Sequence, residues 1–219
     1  MLLSDLEDDA MTVTDRSLPT PGVHEMLDAR IDQRVVLHGA EWADYERLLK
    51  LRGEGAVPRL TYLNGALELM TPSIDHEGDK TRLARLLEAW AGQADVALEG
   101  FGSWTLKSAV QARGAEADEC YVVGAFDGEP TLPQIAIEVV RSGGGIDKLE
   151  VYRGLGVPEV WFWERGQLRC YGLDAVSSAY RPLERSRFLP ELDLALIQRC
   201  MQAPSQTEAV RLLREEMGR

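Results

Sequence analysis

The sequence is poor in cysteine and has no long apolar run. Its three cysteines, Cys120, Cys170 and Cys200, are odd in number and are not spaced as metal-binding pairs. This argues against a disulfide framework and against a zinc site. No apolar run approaches the about 20 residues that span a bilayer, and Met1 leads into acidic residues rather than a cationic signal region. We therefore expect a soluble, cytoplasmic protein with no membrane partner.

Positive charge is also scarce, and arginine carries most of it. Lysine and arginine together number 24 against 36 acidic residues, which gives a formal net charge of -12, and only four of the 24 are lysines. Such a chain repels phosphate backbones at long range, so any contact with nucleic acid must come from a local basic surface. A general role in coating DNA is disfavoured.

Length and apolar content predict one folded domain. The chain has 219 residues, of which 45% are hydrophobic and 27% charged, values that suit a compact α/β or α+β domain. Residues 1–22 are acidic, contain Pro19 and Pro21 and have little apolar content, so we expect a disordered arm there. A single domain over residues 23–219, ending in helices, is expected to follow.

The most informative stretch covers residues 133–163. Residues 135–140 form a short run rich in β-branched side chains, which predicts a strand buried on both faces. Glu138 interrupts this run. Because an unpaired buried carboxylate is costly, Glu138 should have a partner, reach solvent or bind a metal. An ion pair with a nearby arginine such as Arg141 is the structural alternative to a functional site.

A glycine turn and a short helix follow this strand. Residues 142–145 break the strand, Asp147 is a candidate N-cap, and Lys148 falls in the first helical turn. A cation there opposes the helix dipole, so Lys148 is best explained if it faces an anion; a solvated lysine is the alternative. With a further strand over 159–164, the unit brings a carboxylate and a cation close together.

Hydrophobic periodicity and turn residues predict the remaining elements. Asn64-Gly65 is the dipeptide best suited to the two positive φ values of a type I′ hairpin turn, and Ser205 with Glu208 forms a capping-box pattern. The predicted elements are a strand over 34–38, a helix over about 41–51, a hairpin over 59–71, a helix over about 77–93, strands over 96–107, 119–125 and 167–172, and helices near 191–201 and after 205.

Several ordered segments resemble a known family. They are RLTYLNGALELMTPS followed two residues later by HE, then EADECY, IAIEVV and DKLEVYRGLGVPEVW. In that order and spacing they resemble the Uma-two family of restriction-type endonucleases, a branch of the PD-(D/E)XK nuclease superfamily, over roughly residues 34–200. The resemblance implies a restriction-endonuclease-like core with an α+β mixed sheet, flanking helices and an N-terminal hairpin extension. It also implies a divalent-metal site and hydrolysis of DNA.

The resemblance assigns roles to individual residues. Asp118 stands where the family has the metal-binding Asp of a Pro-Asp pair, with Ala117 in place of the proline. Glu138 matches the second metal-binding acid. Val140 occupies the position of the superfamily's lysine, which in this family comes from the following helix and matches Lys148. The implied catalytic residues are Asp118, Glu138 and Lys148, and the implied metal ligands are Asp118 and Glu138.

Two further positions match recurrent polar residues of the family. Glu68 is expected to support the site, either as a third metal ligand or by fixing the first ligands; a solvent-facing residue on the hairpin is the alternative. His76 is expected to contact phosphate or complete the metal sphere. A hydrogen-bonding group at a helix start is the alternative for His76.

The chemistry of phosphodiester hydrolysis gives an independent reason for this set. A hard cation such as Mg²⁺ or Mn²⁺, held by one or two carboxylates, neutralises the phosphate and supplies a nucleophilic water. A lysine can orient or deprotonate that water or stabilise the transition state. We expect a metal-dependent endonuclease acting on DNA, and a homodimer by analogy, since cutting two strands needs two sites. A nuclease-fold binding module without catalysis is one alternative, because Ala117 and Val140 depart from the motif. A nuclease acting on RNA or on a specialised nucleic-acid structure is another.

Overall fold

The computed structural model describes residues 30–125, 128–143 and 145–218. The predicted arm over residues 1–22 lies outside these ranges, as do residues 23–29 of the predicted domain. The strands are β1 (Gln33–His38), β2 (Arg59–Leu63), β3 (Ala66–Thr71), β4 (Leu98–Gly100), β5 (Thr105–Ser108), β6 (Arg113–Glu116), β7 (Glu119–Val123), β8 (Ile135–Val140), β9 (Glu159–Glu164), β10 (Gln167–Asp174) and β11 (Ala179–Leu183). The helices are α1 (Trp42–Arg52), α2 (Ile74–Ala94), α3 (Lys148–Leu155), α4 (Leu194–Met201) and α5 (Gln206–Met217).

The first sheet has five strands in the order β1-β3-β2-β6-β5, and its neighbouring strands are antiparallel. At its centre, β2 and β3 form the predicted hairpin, with φ values of 45° at Asn64 and 93° at Gly65. These positive values confirm the turn prediction. Helix α1 packs on this sheet through a small core in which Tyr45 and Tyr62 lie against Leu60.

The second sheet has six strands in the order β11-β10-β9-β8-β7-β4. Strands β8 and β9 are parallel and α3 connects them, whereas the other neighbours are antiparallel. Both faces of β8 are covered, as predicted. Ile137 packs in the core that includes residues of α2, α4 and α5, and Ala136 packs in the core that includes residues of α3. Glu138 lies on the same side of β8 as Ala136, because side chains alternate along a strand.

The prediction of one strand over 96–107 is wrong. This segment forms β4 and β5, which belong to different sheets, and residues 101–104 between them include Gly102 at a φ of 60°. Strands β6 and β11 were not predicted. Neither shows a long apolar alternation. Strand β6 joins the first sheet by pairing with β2 and β5, and β11 joins the second sheet by pairing with β10.

Helices α2 and α3 each begin directly after an N-cap residue. Asp147 accepts a hydrogen bond from the Glu150 amide (3.2 Å) and begins α3 as predicted. Ser73 accepts from the His76 amide (3.2 Å), so α2 begins at Ile74 rather than at residue 77. His76 therefore lies in the first turn of a helix and not in a connection. None of the helices in the described ranges is both long enough and apolar enough to cross a membrane.

Candidate active site

A cavity of about 290 Å³ lies where β8 gives way to α3. Its walls come from both sheets, from the loop after β8 and from the start of α3. The lining side chains that carry charge are Arg34, Glu68, Glu138, Asp147, Lys148 and Glu164. Glu68, Glu138 and Lys148, which sequence analysis selected from distant segments, therefore meet in one place.

Glu138 is the central carboxylate of this cavity. Its residue is only 4% exposed, and its Oε1 atom accepts hydrogen bonds from Lys148 Nζ (3.2 Å) and from the Tyr152 hydroxyl. Both donors come from the same side of α3, because residues four apart face the same way on a helix. The alternative pairing with Arg141 is not formed, since Arg141 binds Asp79 and Asp75 on α2. Lys148 is not a solvated surface lysine: its side chain is 13% exposed.

Glu68 holds the loop between β8 and α3. Its Oε2 atom accepts a hydrogen bond from the Ile146 amide (2.9 Å) and pairs with Arg34 Nε (3.3 Å). Arg34 in turn donates to the Ser142 carbonyl (3.2 Å). A β-carbon at Gly145 would lie 2.5 Å from Glu68 Oε2, so the Glu68 carboxylate would have to shift to accept a side chain there. Glu68 is 2% exposed and is not a solvent-facing hairpin residue.

Asp118 and His76 lie behind the cavity in a separate buried network. Asp118 Oδ2 accepts a hydrogen bond from the Val139 amide (2.6 Å), immediately after Glu138 in β8. Its Oδ1 atom faces His76 Nε2 (3.0 Å) and also contacts the Arg59 guanidinium. Asp118 is 0% exposed and does not line the cavity. The hydrogen bond between Asp118 and the Val139 amide therefore connects this network to the cavity through the backbone of β8.

The other side of His76 is bound by Asp32. His76 Nδ1 lies 3.1 Å from Asp32 Oδ2, and Asp32 Oδ1 accepts a hydrogen bond from the Ser73 amide (2.8 Å). Burial alone would raise the pKa of the Asp32 carboxyl, but the hydrogen bonds with His76 and Ser73 lower it to about 2. Asp32 is therefore held as a carboxylate beside the imidazole ring.

The chemistry of these oxygen atoms limits which residues fit a metal ion. Both Asp118 oxygens already have partners, whereas Glu138 Oε2 and Glu68 Oε1 accept no hydrogen bond from the residues that the structure describes. Carboxylate oxygens are what Mg²⁺ prefers, so these two unoccupied oxygens suit contact with such an ion by their chemistry. Within the described ranges no cluster of three or more acidic, histidine or cysteine side chains is placed to hold a metal. The pair Asp118 and Glu138 stays a prediction.

Tyr152, Arg34 and Asp32 of this region were not among the predicted site residues. Tyr152 had a usable signal, its spacing of four from Lys148, but its aromatic ring indicated only core packing. Arg34 and Asp32 had none, because their partners lie far along the chain: Arg34 and Ser142 are 108 positions apart, and Asp32 and His76 are 44 apart.

The described residues form an α+β fold whose mixed sheet carries a buried acid on β8, with a lysine of the next helix beside that acid. The chain belongs to the Uma2 family, described as "Putative restriction endonuclease", whose model matches residues 42–203. A solved structure of a putative nuclease belonging to DUF820 from Anabaena variabilis is similar at 13% sequence identity. That similarity covers 77% of this chain and 98% of the other, with a TM-score of 0.49. No curated protein sequence matches the chain.

Proposed function

We propose that this chain is a metal-dependent endonuclease that hydrolyses DNA phosphodiester bonds with Mg²⁺ or Mn²⁺. The observation that carries the proposal is the meeting of Glu68, Glu138 and Lys148 in one cavity of a chain from a restriction endonuclease family. Two carboxylates and a cation at one cavity are the groups that phosphodiester hydrolysis needs.

Glu138 and Glu68 would hold the metal ion, which when bound would neutralise phosphate charge and acidify a water molecule. Lys148 lies beside Glu138 and can donate a hydrogen bond to a phosphate oxygen as negative charge develops there. Asp118 fixes the Val139 amide next to Glu138. Direct metal binding by Asp118, as the family resemblance implies, would use the second lone pair of Oδ2, whose one hydrogen bond comes from the Val139 amide.

The proposed substrate and assembly follow from the charge and the chemistry. The chain carries a net charge of -12, so DNA must be held by local contacts and the bound cation rather than by the overall field. Arg34 and Lys148 are the basic side chains among the cavity's charged lining residues. Cutting both strands of a duplex would require a second site, which a homodimer supplies.

One observation favours a second candidate, a nuclease-fold binding module without catalysis. The Asp118 carboxylate is engaged on both oxygens, and the Arg59 guanidinium already contacts it. The Arg59 guanidinium therefore already neutralises negative charge on Asp118 that a metal ion would otherwise neutralise. If the chain is such a binding module, Asp118 contributes only to the stability of the fold.

Cleavage of supercoiled plasmid and short linear DNA in Mg²⁺ and in Mn²⁺ tests the proposal. The intact chain should cut both, and Glu138→Gln and Lys148→Met should each lose about 100-fold or more in rate. Glu191→Gln, at an exposed position, should cut like the intact chain. If the folded chain is inert, or all four proteins cut equally through a contaminant, the endonuclease proposal fails and the binding module is favoured.

Metal binding is measured separately by thermal unfolding. A ligand that binds only the folded state raises its midpoint, so Mg²⁺ or Mn²⁺ should raise the Tm of the intact chain and of Glu191→Gln. The shift should vanish in Glu138→Gln. An equal shift in all three proteins would place any metal binding elsewhere.

A further inference from the structure

We infer that Tyr152 is a positioning residue for Glu138. Its hydroxyl and Lys148 Nζ both donate to the same carboxylate atom, Oε1. That atom is thereby occupied, and Oε2 is left to meet a ligand in the cavity. The inference rests on the proposed function, since it assigns how the carboxylate of the proposed site is oriented.

The position of the Tyr152 hydroxyl is fixed by packing. The residue is 0% exposed and lies in the core formed on α3 with Ala136, Val151 and Val160. A ring enclosed in this way has one orientation, and a buried hydroxyl needs a hydrogen-bond partner. Glu138 is that partner, so the ring determines where Oε1 lies.

Lys148 alone would not supply this constraint. Its amine ends a flexible four-carbon chain with three equivalent donors, and its side chain reaches the edge of the cavity, where it is 13% exposed. Lys148 can therefore follow the carboxylate or turn toward a bound phosphate. Tyr152 holds Glu138 when Lys148 turns away.

The Tyr152 hydroxyl is a buried neighbouring donor to the Glu138 carboxylate. Carboxylates that bind metal ions are commonly held by such a neighbouring donor, and its loss typically lowers affinity or activity about 10–100-fold.

The chain offers a matched control for this inference. Tyr180 packs against the same core as Tyr152, but its hydroxyl donates to the Val157 carbonyl (2.5 Å) and not to Glu138. Tyr152→Phe and Tyr180→Phe each delete one hydrogen-bonded hydroxyl and leave the ring. Only the first deletion should affect the cavity.

The first measurement is carbon NMR of lysine side chains in the full chain without metal. Only four lysines occur, so labelled Cε atoms give four signals, and Lys148→Arg identifies the one from Lys148. We expect Tyr152→Phe to shift the Lys148 signal and leave the other three, and Tyr180→Phe to leave the Lys148 signal in place. An unchanged Lys148 signal in Tyr152→Phe would overturn the inference.

The second measurement is the cleavage assay. Tyr152→Phe should lower kcat about 10-fold or more with little change in KM for DNA, because the substrate contacts remain, and Tyr180→Phe should match the intact chain. If the intact chain cuts DNA and Tyr152→Phe cuts equally fast, the inference is overturned. If the intact chain does not cut DNA, the proposed function fails, and the NMR result alone decides the positioning role.

Discussion

The buried acidic residues of this molecule differ in role according to how many of their oxygens accept hydrogen bonds. Glu138 and Glu68 line the cavity, and each has one oxygen that accepts no hydrogen bond from the described residues, whereas Glu159, which is 0% exposed, is surrounded by donors. Its oxygens accept from Trp161 Nε1 (3.0 Å), Ser186 Oγ (2.8 Å) and the Arg187 amide (2.5 Å). Glu159 is therefore fully hydrogen-bonded within the protein, as buried polar groups usually are, and is not a candidate site.

Asp32 should make stability depend on pH. Its folded-state pKa, about 2, lies below the ordinary value of 3.8, so its contribution is complete above pH of about 4 and is lost as the pH falls toward 2. We expect Asp32→Asn to cost on the order of 2 kcal/mol more at pH of about 6 than at pH of about 2.5. Urea denaturation followed by tryptophan fluorescence measures this difference.

The control for the Asp32 prediction is Asp95→Asn, at an exposed residue with a left-handed φ of 55° that asparagine also adopts readily. This substitution removes one carboxylate without touching the buried network. A cost of Asp32→Asn that is the same at every pH would contradict the prediction.

At the scale of elements, close approaches decide where glycine is needed. Gly114 in β6 is opposite Tyr62 of β2, and a β-carbon on it would collide with the ring of Tyr45 from α1. Tyr45 is 0% exposed and has no room to move. Gly92 is the opposite case: it lies on an exposed part of α2, and no atom comes within 4 Å of an added β-carbon.

The two glycines should therefore respond to alanine with opposite signs. Gly114→Ala should destabilise the protein by about 1–3 kcal/mol, because overpacking displaces α1 from the sheet. Gly92→Ala should stabilise it by about 0.5–1 kcal/mol, since glycine in a helix loses more backbone entropy than alanine on folding. Each is measured by urea denaturation against the intact chain. A Gly114→Ala variant at least as stable as the intact chain would show that the contact between α1 and β6 is not tight.

At the scale of the whole molecule, the candidate site joins the two sheets. Glu68 and Arg34 of the first sheet hold the loop that leaves the second. Farther along, Arg113 of β6 donates to Glu150 of α3 (2.8 Å). His76, on α2, bonds Asp118 at the entry to β7. Separating the sheets would leave these buried charges unpaired, which is costly.

The described part of the chain should consequently unfold in one transition. We expect the calorimetric and van't Hoff enthalpies to agree, and circular dichroism and tryptophan fluorescence to give the same midpoint, because partly unfolded states expose unpaired charges. Two resolved transitions would contradict this, and with it the single domain predicted over residues 23–219.

Local features were the predictable part of the fold. The Asn64-Gly65 turn, the Asp147 and Ser205 caps and the buried strand β8 act within a few residues, so their signals lie in adjacent positions. No local sequence feature predicted that residues 96–107 are divided between two sheets. Strand membership there depends on partners, Tyr121 for Gly100 and Glu116 for Thr105, that local periodicity does not specify.

The sequence by itself determined the class of the protein, the Asn64-Gly65 turn, the Asp147 and Ser205 caps, and a short list of candidate site residues. Only the tertiary structure decided what those residues contact. It brought Glu68 to Arg34, Asp118 to His76, and Tyr152 to Glu138. The physical reason is that turn and cap energies arise between neighbours in the chain, whereas the partner of a buried charge is set by which distant strands and helices pack together.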